Sequence, residues 1–581
     1  MNILKKSLLI ALACSSFAVS ANAVPAMRGI KTTLTLADGK KVVAELRGDE
    51  FCSWWQAEDG KCYKRVAGDT TYESIDVQKL LKDAEPRRIA ETQANVAIMQ
   101  KTRAAKTRGA AGAFVGKKKG LIILVNFSDK KFNKFHGKSY YNKVANNENY
   151  TSTSGHVGSV HDYYYIQSNG LFDLTFDVVG PYDMPNGYAY YGGDANGRQD
   201  KKCGEMIALA CQMADEEVDF TNYDWDGDGY ADQVYVIYAD LGQHVSNDDN
   251  LIWPHKGQLT TSDYNSSYQT KDNGVKVNTY ACSSEYTYNK TANGARKNVD
   301  GIGSICHEFS HCLGLVDLYD TQYTKQYGMG HYDIMSSGNY NNNAFSPANY
   351  TAYEKWVAGW LEPIVLNEPT TVKNFPATGQ QYGMAFVIYN DDFSNEYYIL
   401  ENRQKGTDIF DAHIPTSGLM IMHCDYKQSL WNRNTVNSIL NYSGMYGDAY
   451  KDWDNDHERF TFFNADSEQN WNYDDGGDYS LYPCNGNNQL TDTSKPFAKL
   501  YNGKATMGKP ITDIVQNPDG TIDFNFMGGS DSNIISGIEN TIIDVNTTAN
   551  AIYTLDGRRV YGDVKSLGRG VYIINGKKVA L

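Results

Sequence analysis

His307-Glu308-Phe309-Ser310-His311-Cys312-Leu313-Gly314-Leu315-Val316-Asp317 places two imidazoles and two carboxylates within one short stretch. On a helix, positions i and i+4 stand one above the other, so His307 and His311 can aim ring nitrogens at one tetrahedral metal. Glu308 lies one step round the same turn. From there a carboxylate can take a proton from water activated by the metal and pass it to a leaving amine, the general-base part of the H-E-x-x-H pattern. Gly314 suits a left-handed turn that ends the helix, because glycine has no Cβ. That turn would bring Asp317 round as a third ligand and leave a fourth position for water, as catalytic zinc requires. The spacing predicts a metal-bearing helix from about Ile302.

Downstream, residues 332–338 (YDIMSSG) read as a tight turn whose Met335 can floor the metal site with an apolar thioether. The order of these parts resembles the metzincins. The third metzincin ligand is usually histidine, whereas Asp317 stands here, and Asp320, His331 and Glu354 are alternative ligands within reach. Tyr340 is the candidate for steadying an oxyanion; among 43 tyrosines it can equally be an ordinary packed ring.

A second metal signal lies upstream. Asp224-Trp225-Asp226-Gly227-Asp228-Gly229-Tyr230-Ala231-Asp232 sets carboxylates at loop positions 1, 3, 5 and 9 with glycine at 6, the donor pattern of hard calcium chelation. The twelfth position is Tyr235 rather than glutamate, so a structural calcium loop is expected and not a helix-loop-helix sensor. Residues 452–456 repeat the carboxylate spacing, but His457 replaces the glycine, and a solvated acidic turn is expected there.

With 581 residues the chain exceeds one ordinary domain, and 41% hydrophobic content is enough for a large core. A formal net charge of -15 argues against nucleic acid or an anionic membrane surface as partner. Lys5 and Lys6, the apolar stretch Leu8 to Ala13 and the small residues Ala21-Asn22-Ala23 form the three parts of a secretory signal peptide, with cleavage after Ala23. Cys14 is poorly placed for lipidation. Removing it leaves nine cysteines, an odd number for an exported protein. Cys306 and Cys312 flank the metal histidines but point in different directions on a helix, so they read as packed thiols. Cys52 or Cys62 could cap the zinc as a thiolate in a latent form, against the alternative of a local bridge or buried thiols.

The expected organisation is a signal peptide (1–23), a propeptide (24–113), a metalloprotease domain with a β-rich extension (114–526), a linker (527–536) and a C-terminal β sorting module (537–581). The propeptide reads as a small β-rich unit to about Ala94, with turns at Asp38-Gly39 and Asp59-Gly60. A basic, glycine-containing stretch follows over 101–113, where Arg103, Lys106 and Arg108 suit a trypsin-like processing enzyme. Leu121 to Phe127 and Val234 to Tyr238 are apolar runs of strand length, each a candidate buried strand of a mixed sheet. Glu205 to Ala214 has helical spacing. The C-terminal segment holds strand-like pieces separated by Asp556-Gly557 and Asn575-Gly576 turns, read as a small β-sandwich.

Several blocks carry a closer resemblance. HEFSHCLGLVDLYD (307–320) followed by YDIMSSG resembles the active-site block of the immune-inhibitor-A-like secreted metalloproteases. SVHDYYYIQSNGLFDLTFDVVGPYDMP, DWDGDGYADQVYVIYA and IWPHKGQL upstream, and YEKWVAGWL, YYILENRQ, GLMIMHCDY and NADSEQNWN downstream, are similar to further blocks in the same order, over roughly residues 115 to 510. The resemblance implies a zinc endopeptidase with bound calcium, made as a preproenzyme, with zinc ligands at His307, His311 and Asp317 and the general base at Glu308. IYTLDGRRV and GRGVYIINGKKV near the end are similar to the C-terminal sorting domains of Bacteroidetes, which implies type IX export or a cell-surface destination.

The expected fold is therefore an α/β (α+β) metzincin-like zinc-protease domain behind an N-terminal propeptide, with a β-rich C-terminal part and a small terminal sandwich. The expected function is secreted, zinc-dependent hydrolysis of protein or peptide substrates, held in check by the chain's own propeptide. The rival readings are a catalytically silent surface adhesin on the same fold and a zinc hydrolase of cell-wall peptides. The intact Glu308 argues against the first.

Overall fold

The computed structural model describes residues 24–537 apart from residue 28 and the short stretches 67–68, 108–113, 195–197, 272–273, 292–293, 380–382, 407 and 467–477. Beyond 537 it describes four strand segments only. The expected signal peptide lies outside the described residues.

Strands β1 (Lys31–Thr35), β2 (Lys41–Gly48), β3 (Ser53–Ala57), β4 (Cys62–Arg65) and β5 (Tyr72–Ser74) form an antiparallel meander in chain order. Asp38-Gly39 and Asp59-Gly60 make its turns, with both glycines at positive φ. Helix α1 (Val77–Thr107) follows. It runs through much of the stretch expected to be β-rich or a linker. The reason is local: the sequence after Pro86 is dominated by alanine, lysine, arginine and glutamine, which are strong helix formers, and the glycines that suggested a linker begin only at Gly109.

The central sheet has the order β13-β12-β8-β6-β7, built from β6 (Gly116–Asn126), β7 (Phe172–Asp183), β8 (Val234–Leu241), β12 (Thr279–Thr291) and β13 (Gly294–Val299). Strands β7, β6, β8 and β12 are parallel. Strand β9 (His255–Gln258) pairs antiparallel with β12, and β10 (Tyr268–Gln269) and β11 (Lys276–Val277) form a separate hairpin. On one face of the sheet pack α2 (Lys138–Asn146), α3 (Val160–Gln167) and α6 (Ile302–Cys312), which carries His307 and His311. The short α4 (Tyr188–Tyr191) and α5 (Cys203–Ala214) cover the other. Along β6, Ile122 and Leu124 enter the first core while Leu121, Ile123 and Val125 enter the second. A strand buried on both sides needs an unbroken apolar run, which is what this sequence supplies.

After α7 (Ala352–Val357) come β14 (Ile364–Val365), β15 (Thr370–Phe375), β16 (Phe386–Tyr389), β17 (Glu396–Arg403) and β18 (Gly418–Asp425). Helices α8 (Gln428–Trp431) and α9 (Tyr442–Tyr446) precede β19 (Phe460–Phe462), β20 (Ile511–Gln516), β21 (Ile522–Phe526) and β22 (Ile534–Ser536). Two sheets result, β14-β16-β17-β18-β19 and β20-β21-β15-β22. In β17, Tyr398 and Leu400 face the second sheet while Tyr397 and Ile399 join the core that holds α6. This two-sided burial fuses the β-rich extension to α6. Part of the expected linker is also docked: β22 runs parallel to β15, and Thr371 donates its N–H to Asn533 O. Of the terminal module, β23 (Ile552–Thr554), β24 (Arg559–Val560), β25 (Val571–Ile574) and β26 (Lys577–Ala580) form one antiparallel sheet, in the order β24-β23-β25-β26.

Candidate metal centre

Every residue of α6 is buried. The helix enters through Gly301 and Gly303, where a side chain would collide with the Ala344 and Asn339 carbonyls, so the segment after the methionine turn can press directly on the helix backbone. It ends at Gly314, whose φ of +94° is the left-handed turn the sequence called for. The chain doubles back, and Asp317 returns beneath the histidines.

His307 Nε2 lies 3.2 Å from His311 Nε2, and Asp317 Oδ1 lies 3.3 Å and 3.5 Å from them. Ligands about 2.0–2.1 Å from a tetrahedral ion stand about 3.4 Å apart, so these three atoms have the spacing of one face of a zinc tetrahedron. The opposite ring nitrogens fix the tautomers. His307 Nδ1 donates to Ile334 O at 2.6 Å and His311 Nδ1 to Leu315 O at 2.9 Å, which turns both Nε2 lone pairs toward Asp317. Two lone pairs and a carboxylate oxygen, all fully buried, call for a cation between them. The donor set fits zinc.

The electrostatics agree. Burial, and then the neighbouring His307, hold the His311 pKa well below the usual imidazole range. Burial works against charge on His307 too, but the Asp317 and Glu308 carboxylates and the Ile334 carbonyl together outweigh it and raise that group. Burial pushes the Glu308 carboxyl up to about 8.

Asp317 is held by a residue that sequence reasoning missed. Asn434 Oδ1 accepts the Asp317 N–H at 2.7 Å, and Asn434 Nδ2 donates to Asp317 Oδ2, leaving Oδ1 turned toward the two imidazoles. Asn434 lies more than a hundred positions away, in a loop with no motif to mark it. The alternative ligands have other occupations. Asp320 accepts from Ser438 and Thr324 hydroxyls, His331 Nδ1 contacts Asn341, and Glu354 closes a capping box with Thr351 at the start of α7. Met335 is fully buried, and its turn is tied by Asp333 Oδ1 accepting the Met335 N–H and Met335 O accepting the Leu318 N–H.

The Cys52 thiol is buried and its pKa is pushed up to about 12 by burial, and it falls outside the metal-ligand group among the described residues. Another part of the N-terminal unit reaches the site instead. The Val24 N–H donates to Glu308 Oε1 at 2.6 Å, with Val24 fully buried. Trp253 Nε1 donates to Val24 O at 2.9 Å, and the Met27 N–H donates to His244 O. The Tyr340 hydroxyl donates to Pro25 O at 2.5 Å. Around this segment, Tyr323 donates to Gly48 O, Gln199 Nε2 to Asp49 O and Tyr442 to Glu85. The unit is thus fastened on several sides of the cleft.

The acidic loop gathers Asp224, Asp226 and Asp232, whose carboxylate oxygens lie within 4.8 Å of one another. Asp228 is not in that group; its Oδ1 accepts the Tyr230 N–H. Asp224 accepts the N–H groups of Gly227, Asp228 and Gly229, so the loop curls round it.

Residues 110–362 match the profile of a family described as immune inhibitor A peptidase M6, catalytic domain. That stretch is similar to an M6 peptidase catalytic domain. It takes in α6, the methionine turn and all three triad residues. Pre-pro-metalloprotease PrtV of Vibrio cholerae serotype O1, strains M66-2 and ATCC 39315 / El Tor Inaba N16961, is 26% identical over 258 residues, which is 40% of this chain and 26% of that protein. Immune inhibitor A of Bacillus thuringiensis subsp. alesti is 26% identical over 293 residues, 42% of this chain and 41% of that protein. The alignments thus span less than half of each curated relative.

Proposed function

We propose that this chain is a zinc-dependent endopeptidase, exported as a precursor and kept latent by its own N-terminal unit. The observation that carries the reading is the convergence of His307 Nε2, His311 Nε2 and Asp317 Oδ1 at the spacing of zinc ligands, with Glu308 on the same helix. The M6 resemblance and the names of the two relatives support it.

His307, His311 and Asp317 would hold the ion, and Asn434 would keep Asp317 turned toward it. Zinc in that frame supplies Lewis-acid polarisation of a water and of a peptide carbonyl. Glu308 takes the proton of the attacking water at its carboxylate and returns it to the leaving nitrogen. The buried surroundings of α6 limit competing water and strengthen each of these charge interactions.

Latency follows from the N-terminal segment. Cleavage after Ala23 would turn the Val24 nitrogen into a free α-amino group, and its contact with Glu308 would become an ion pair occupying the general base. Pro25, Ala26 and Met27 line the same groove as Tyr319, Tyr323 and Tyr340, space a substrate would need. A calcium ion on Asp224, Asp226 and Asp232, zymogen processing near Arg103 to Arg108, and export through a type IX-like route by the terminal module complete the proposal. The target would be a protein outside the cytoplasm.

One experiment tests this: casein and peptidoglycan digestion by the full-length and processed chains, wild type and Glu308→Gln, with and without a chelator. Chelator-sensitive casein cleavage by the processed wild type alone is expected, with kcat/KM at least about a thousandfold lower in Glu308→Gln. Undiminished activity in that variant would remove the base. Cleavage of peptidoglycan peptides alone would move the substrate class to the cell wall.

A further inference from the structure

Away from the triad, Cys203 at the start of α5, Cys282 in β12 and His255 in β9 bring two sulfurs and an imidazole nitrogen within 4.8 Å of one another, all buried. The trio has the composition of a soft-metal site, but the imidazole is turned the wrong way. His255 Nδ1 lies 2.7 Å from Trp253 O, and a carbonyl oxygen accepts only a donor, so Nδ1 carries a proton and has no lone pair for a metal. Nε2 is 3.0 Å from the Tyr280 hydroxyl. His255 is thus engaged at both nitrogens, its Nδ1 also lying 3.6 Å from Cys282 Sγ, and what stands beside it is a pair of adjacent thiols.

We propose that Cys203 and Cys282 are joined by a disulfide in the exported protein; this rests on the reading that the chain leaves the cytoplasm. In the structure both are thiols. Oxidation joins the two sulfurs through one new S–S bond. The two thiol protons and two electrons pass to a disulfide-bearing oxidant, whose own S–S bond opens to two thiols by way of a mixed disulfide. The bridge would close a loop of roughly 80 residues, a span over which cross-linking restricts the unfolded chain strongly.

Its position ties one wall of the cleft to α5 behind the sheet. Cys282 pairs with His255 across β12 and β9, and Trp253, two residues before His255, holds Val24 O. The cross-link would brace this wall against α5 on the outer face of the sheet. An exported protein gains most from such a brace, since thiol pairs stay reduced in the cytoplasm and persist as disulfides outside it.

The test is a peptide map of the secreted full-length protein, alkylated in denaturant without reductant, beside thermal melts of wild type, Cys203→Ser and Cys282→Ser with and without dithiothreitol. A peptide pair linked through Cys203 and Cys282 is expected. Each variant should melt several degrees lower than wild type, and reductant should lower the wild type alone to the same temperature. Alkylation of both thiols in the unreduced wild type would overturn the disulfide, as would a second equivalent of zinc that is lost in Cys203→Ser. The wild-type map decides the matter even if a variant fails to fold. Free thiols in a chelator-sensitive casein hydrolase would sink this inference alone, whereas a linked pair in a protein without peptidase activity would sink the proposed function and leave the cross-link standing.

Discussion

At the scale of single residues, the site divides into groups marked by spacing and groups supplied by the fold. His307, Glu308, His311, Gly314 and Asp317 are legible because helical periodicity and one left-handed turn convert their spacing directly into geometry. Asn434 and Trp253 carry no such mark, since each arrives from a distant segment to hydrogen-bond one group in the cleft. If Asn434 orients Asp317, Asn434→Ala should weaken zinc affinity by about 10- to 100-fold, as loss of a group that orients a metal ligand typically does. Competition with a chromogenic chelator would read this, and unchanged affinity would reduce Asn434 to a packing role. Asp300, just before α6, gives a prediction in pH. Burial pushes its carboxyl up to about 7, although it accepts the Gly301 N–H. Because the folded value lies above the unfolded one, the contribution to stability is fully present below about pH 4 and is lost as pH rises through about 7. Asp300→Asn should therefore match wild type near pH 4 and gain on it toward pH 8, by an amount of the order of 4 kcal/mol. Melts across that range showing a constant difference would contradict the assignment.

At the scale of elements, sequence periodicity succeeds where burial is one- or two-sided and fails where neighbours decide. The apolar runs in β6 and β8 are visible because both faces of the sheet are covered. The extent of α1 is obscured by Pro86 and by glycines just past its end, although the composition after Pro86 favours helix. The pairing of Ile534–Ser536 with β15 could not be seen at all, because the serine- and glycine-rich stretch before them looks the same whether it hangs free or leads into a strand. The acidic loop preceding β8 is a discrete element with its own test. Calcium on Asp224, Asp226 and Asp232 would neutralise three converging carboxylates, so adding calcium to stripped protein should raise the melting temperature while zinc content stays constant. The shift should vanish in Asp224→Ala. A melting temperature indifferent to calcium in the wild type would leave the loop as an acidic turn.

At the scale of the whole molecule, three bodies converge on α6. The mixed sheet supports the helix, the β-rich extension supplies Asn434 and closes the core behind Met335, and the N-terminal unit lays Val24 on Glu308. The expectation of a propeptide rests on position and composition, neither of which shows where the N-terminal unit meets α6. Two cysteines drew attention because thiolates bind zinc, whereas the contact with Glu308 is made by a backbone N–H, a donor that every residue but proline carries. The most direct test of the account is zinc content measured on the processed protein, wild type beside Asp317→Ala, with casein hydrolysis followed in the same samples. One tightly held zinc per chain, lost together with activity in the variant, is the predicted result; a wild type that cleaves casein without a transition metal, or a variant that keeps both zinc and activity, would contradict it.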